Sequence, residues 1–89
     1  MIYKFKSQAD ADVIMLEPNG EHMLTLIGRE PSAQGVVTVA QMPAAIAALE
    51  AAILAQEGHE HARLRARAEP FIHLLSNSAK AGKDVVWGV

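Results

Sequence analysis

IYKFKSQADADVIML, residues 2–16, holds two extended runs on either side of a turn, and whether they pair decides between a sheet and a bundle. In IYKFKS, Tyr3 and Phe5 fall on one side of an extended chain, and Ile2, Lys4 and Lys6 on the other. That is the pattern of a strand with one wet face. SQAD supplies turn residues. After Asp12, DVIML runs continuously apolar rather than alternating, with β-branched Val13 and Ile14, as a strand covered on both faces does. The stretch predicts a β-hairpin over residues 2–16.

A hairpin alone is marginal in water and needs a third strand or a packed helix. The C-terminal DVVWGV supplies the strand, because Val85, Val86 and Trp87 favour extended structure and pair most easily with the hairpin. Between these ends, Pro18, Asn19 and Gly20 break the hairpin, and Met23, Leu24, Leu26 and Ile27 recur at helical spacing before Gly28. REPSAQG, residues 29–35, reads as a loop. In VVTVAQMPAAIAALEAAILAQEG, Thr38 and Gln41 stand three apart as in a capping box and Pro43 fits a first helical turn. A short strand over Val36–Val39, before a helix starting near Pro43, is the alternative. Ile46, Leu49 and Ile53 make the buried stripe of this main helix, among seven alanines between positions 44 and 55, and Gly58 ends it.

Pro70 disfavours helical geometry at Glu69, so residues 59–69 form either a separate helical turn or an ordered loop. A further helix then carries Phe71, Leu74, Leu75, Ser78 and Ala79 from Pro70 to Gly82. The order strand, strand, helix, long helix, helix, strand gives an α+β class. The expected fold is a small antiparallel sheet, made of the N-terminal hairpin plus the C-terminal strand, with two to three helices on one face. The alternative is a mostly helical bundle with the hairpin appended.

At 89 residues the chain is one domain, residues 1–89, and its 51% apolar and 20% charged content separates it from a disordered chain. It has no cysteine, which removes disulfides, thiol nucleophiles, thiolate zinc sites and iron–sulfur clusters together. Lysines and aspartates within the first dozen residues break any signal-peptide pattern, and no apolar run reaches membrane-spanning length. A cytoplasmic location with no membrane partner is the expectation. The net charge of −2 argues against a nucleic-acid partner.

EGHEHARLRARAEPFIH, residues 57–73, concentrates the titratable groups. His59 and His61, with Glu57 or Glu60 and with His73 or His22 arriving from elsewhere, are the candidate metal ligands. Imidazole and carboxylate suit zinc, nickel or copper. On a helix, residues two apart point about 200° from each other, so the pair converges only in an extended segment. The bland account has these histidines solvated. Arg63 and Arg67 share a helical face while Arg65 turns away, and glutamates surround all three, so no single phosphate-tracking stripe results. His73 and Ser76 are three apart, yet no orienting acid or oxyanion donor accompanies them, so no catalytic residue is assigned. Trp87, Met23 and Met42 are expected in the core.

MIYKFKS, DVIMLEPNG, VAQMPAAIAALEAAI, PFIHLL and VVWGV together resemble a family of short bacterial proteins, mainly proteobacterial, known as a domain of unknown function. QMPAAIAALEAAI is the most specific block. The resemblance implies a stand-alone intracellular single-domain protein and brings no catalytic residue, cofactor or substrate. The functional expectation is a small non-catalytic intracellular binding or regulatory module, without cofactor, acting through protein–protein contact or homodimerisation. An alanine-rich helix and the doubly apolar residues 13–16 support it. The alternative is a histidine-dependent metal-binding protein or metalloenzyme that holds a divalent transition metal with the 57–61 segment.

Overall fold

The computed structural model describes residues 1–88. Strand β1 (Ile2–Ser7) pairs antiparallel with β2 (Asp10–Leu16), placing Tyr3 opposite Met15 and Phe5 opposite Val13 on one face, and Ile2 opposite Leu16 and Lys4 opposite Ile14 on the other. After helix α1 (Glu17–Leu26), a short strand β3 (Gly35–Val37) leads through a 3-10 turn into α2 (Met42–Leu54). Helix α3 (Gly58–Ala81) and strand β4 (Val85–Trp87) close the chain. The sheet order is β2-β1-β4-β3, antiparallel throughout, with the helices on one face. This is the expected α+β architecture with a fourth strand. Both readings of the 36–41 segment hold, since β3 occupies its start and the Gln41 side chain accepts the Thr38 N–H at 3.0 Å in the following turn.

Local expectations fail at three places, each for a packing reason. Pro18, Asn19 and Gly20 lie inside α1, where proline suits a first turn that has no N–H partner to lose. Gly20 is buried against Tyr3, and a Cβ there would sit within 2.5 Å of Tyr3 Cγ, so the absent side chain lets α1 approach the sheet. Helix α2 ends at Leu54 rather than Gly58, and Gly58, with φ +55°, instead forms the turn that opens α3. Residues 59–69 are neither a separate turn nor a loop, because α3 runs straight through Pro70. Leu64, Ala68, Phe71, Ile72, Leu75 and Ser78 form one buried stripe that spans the proline, while Pro70 itself faces solvent. Keeping that stripe continuous offsets the roughly 3 kcal/mol that an interior proline costs.

The core lies between the sheet and the helices. Phe5, Met23, Leu24, Met42, Leu49, Ile53, Phe71, Leu75 and Trp87 are all buried, as expected of Trp87, Met23 and Met42. Strand β2 departs from its expected cover on both faces. Met15 is buried, but Ile14 and Leu16 are 59% and 65% exposed.

The step from Asp10 to Val13 in β2 lies opposite the step from Phe5 to Ser7 in β1, so β2 carries one extra residue there, a bulge at Ala11 and Asp12. The bulge turns Asp10 back to the helix side, where its carboxylate accepts the Asn77 amide at 2.7 Å, beside the buried Ser78–Ser7 hydroxyl pair, also 2.7 Å. The Asn77 amide and the Ala11 N–H hold the Asp10 carboxyl below its ordinary value of 3.8.

Two outcomes follow from these contacts. Pro70→Ala restores a helical N–H at an exposed site, so the thermal midpoint rises by roughly 10–20 °C, equivalent to about 2–3 kcal/mol. A calorimetric scan checks this, and an unchanged or lowered midpoint contradicts it. The folded Asp10 value lies below the unfolded one, so its contribution is present at neutral pH and is lost as pH falls through the folded value. A carboxyl NMR titration should place Asp10 below 3.8 and move it back toward 3.8 in Asn77→Ala.

Candidate functional site

The helices cover one face of the sheet and leave the other open. On the open face, Ile2 meets Leu16 and Ile14 meets Lys4 across the hairpin, while Lys6, Val86 and Val36 line up across β1, β4 and β3. Ile2, Ile14, Leu16 and Val36 are all exposed there, with two lysines among them. Isolated exposed aliphatics are ordinary, but these are neighbours by register and make a continuous patch. Strand β2 is also an edge strand, so the backbone groups on its outer side have no strand partner.

A groove of about 560 Å³ runs along that edge. One wall is Val13, Ile14, Met15 and Leu16, and the other is Arg63, Ala66, Arg67 and Pro70 of α3. Successive side chains of a strand point to opposite faces. A hollow lined by four in a row therefore follows the backbone edge rather than either face. On the far side of Arg63 and Arg67 a second hollow, of about 320 Å³, opens between α1, α2 and α3, with His22, Leu26, Ala52 and Leu64 among its lining. The two guanidinium groups stand on the ridge between them. Arg63 pairs with Glu60 at 3.5 Å, both well exposed. Arg67 is half-buried and, among the described residues, has no hydrogen-bond or ion-pair partner.

The histidines lie elsewhere. His59 and His61 occupy the first turn of α3, two residues apart on a helix, so their side chains diverge. His59 is exposed. His61 is half-buried, and its Nδ1–H donates to the Ile53 carbonyl at 2.9 Å, which also accepts the Gln56 N–H at 3.1 Å where α2 ends. Among the described residues no group of three or more His, Asp or Glu side chains is placed to hold a metal ion. His73 is exposed and, among the described residues, makes no hydrogen bond with Ser76. Arg65 leaves α3 on a different side from Arg63 and Arg67. Among the described residues no helix is long and apolar enough to cross a membrane.

The family profile DUF1840, a domain of unknown function, matches residues 1–87. The chain belongs to this family. The match bears out the resemblance carried by MIYKFKS, QMPAAIAALEAAI and VVWGV. No curated protein and no solved structure matches the chain.

In this DUF1840 chain the apolar residues 13–16 carry a signal for protein contact in the sequence itself, whereas nothing in the sequence places Arg67 opposite them. A run apolar on both parities predicts cover on both faces. It is covered once, and its second face is free.

The His61 contact gives the two histidines different structural weights. His61→Ala should lower stability by about 0.5–1 kcal/mol, because it removes the side-chain hydrogen bond to a helix-end carbonyl that then keeps only the Gln56 N–H. His59→Ala should leave it unchanged within error. Urea denaturation of the two variants checks this, and equal midpoints would contradict it.

Proposed function

We propose that this protein is a small non-catalytic binding module of the cytoplasm that acts by contact with another protein chain, either a second copy or a different protein. The observation that supports this is the patch of Ile2, Ile14 and Leu16 on the open face, continuous with an unpaired edge strand. Exposed apolar side chains beside an unpaired strand edge are a liability in isolation, and proteins blunt such edges with charge, proline, bulges or cover. Here the bulge protects Ala11 and Asp12, and among the described residues no strand pairs with the outer edge of Val13–Leu16 and nothing covers Ile14 and Leu16. Placed on a partner, the same four residues contribute buried area and main-chain hydrogen bonds. The reading assigns no metal, cofactor or catalytic residue.

A photo-crosslinking side chain placed at Ile14 in living cells tests it, with the same group at exposed Ala47 on α2 as the control. Ile14 should give a discrete protein adduct and Ala47 none, and the adduct's mass separates self-association from a different partner. Absence of any adduct from Ile14 or Leu16 would end the reading.

A further inference from the structure

We infer that the groove between β2 and α3 takes an extended acidic segment of a different protein, which pairs with Val13–Leu16 as an added strand and sets its carboxylates against Arg63 and Arg67. This rests on the reading of the protein as an interaction module and names the partner's chemistry.

The strand wall fits a peptide backbone. Beyond the bulge, β2 is regular for four residues, and its inner side is already satisfied by β1 in the Phe5–Val13 to Ile2–Leu16 register. An antiparallel strand points half of its N–H and C=O groups to each side, so the outer half is available to a new strand. The helix wall fits it too. Arg63, Ala66, Arg67 and Pro70 follow i, i+3, i+4, i+7 spacing and make one face of α3. Ala66 and Pro70 are small, which leaves width for a chain between helix and strand. Pro70 has no N–H to give the Ala66 carbonyl four residues earlier, so that acceptor lacks its helical donor on this same wall.

Charge decides the occupant. Among the described residues Arg67 is half-buried with no carboxylate partner, and Arg63 has only a long, exposed contact to Glu60. Guanidinium groups in that setting bind carboxylates in paired, charge-assisted hydrogen bonds. Side chains of an added strand alternate, one set toward α3 and the other beside Ile14 and Leu16. The matching segment therefore alternates acidic residues, facing Arg63 and Arg67, with aliphatic residues that extend the open apolar face. A second copy fits worse. Antiparallel pairing of two β2 edges about a two-fold axis puts both α3 helices on the same side of the joined sheet and gathers both pairs of arginines there, with no acidic side chain between Val13 and Leu16 of either copy to meet them. Like charges in direct opposition are destabilising.

The test uses the full chain, isotopically labelled, and a short soluble peptide alternating valine and glutamate, with the lysine counterpart as control. The acidic peptide should shift the amide signals of Val13–Leu16, bind more weakly as salt rises, and lose about tenfold or more in affinity with Arg67→Ala, whereas the lysine peptide should not bind. Arg67→Lys keeps the charge and the fold but not the paired geometry, and should fall between wild type and Arg67→Ala. Equal binding of both peptides, shifts confined to other residues, or an affinity indifferent to Arg67 would each overturn the inference. If Ile14 crosslinks to a partner while the peptide fails, the module reading stands and the acidic segment does not. A crosslink between two copies, with no peptide binding, likewise replaces the segment by self-pairing. Failure of both measurements removes the two together.

Discussion

Phe5 is the side chain around which the domain closes. It is fully buried, with its ring 4.7 Å from Phe71 of α3 and 5.7 Å from Trp87 of β4, centroid to centroid. The N-terminal strand, the long helix and the C-terminal strand thus meet at one ring, although the chain places them far apart. Each such aromatic pair contributes about 0.5–1.5 kcal/mol beyond its buried area, which matters in a chain too short for a large core and without disulfides. The chain of dependence continues outward from Trp87. Its indole N–H donates to the Ser32 carbonyl at 3.0 Å and the Arg29 guanidinium lies over its ring, so the loop before β3 is fastened to the same cluster. Gly35 of β3 must be glycine because the Trp87 ring occupies the space of its Cβ.

Much of this was legible in the sequence because the signals were local. Tyr3 and Phe5 on one parity, Val85 to Trp87 at the far end, and the Ile46, Leu49, Ile53 stripe each specify an element within a few residues. What misled were residues whose local preference lost to packing. Pro18 and Gly20 read as breakers, yet one suits a first helical turn and the other lets α1 touch Tyr3. Pro70 read as a boundary, yet the buried stripe on either side of it kept α3 whole. The site was less legible than the fold. An apolar run states that burial is favourable without stating that the fold supplies it, so DVIML cannot distinguish a central strand from an uncovered edge. The histidines drew attention by composition alone, and one of them completes a helix end.

The asymmetry of the sheet follows from where the aromatics went. Tyr3, Phe5 and Trp87 all face the helices, and the opposite face keeps only aliphatic side chains and lysines. Three helices cover one face of the four strands, and among the described residues no element packs on the other. The bulge in β2 serves both sides at once. It turns Asp10 inward to Asn77, tying the hairpin's tip to α3, and it leaves only the last four residues of the edge straight enough to pair.

Pro70 joins stability to that edge. An interior proline is among the most costly single residues a helix can hold, and in a small domain whose total stability is of order 5–15 kcal/mol such a cost is a large share. The position is exposed, so no core packing requires the ring there. Its one structural effect on its surroundings is local: it removes the donor from the Ala66 carbonyl and keeps the α3 wall of the groove low beside Arg67. A residue that weakens its own helix while shaping the wall opposite an unpaired strand belongs with the groove rather than with the core. Natural sequences depart from locally favourable choices most often where a site demands it. On that ground the open edge of β2, rather than the histidine-rich turn that first draws the eye, is where the chemistry of this surface concentrates.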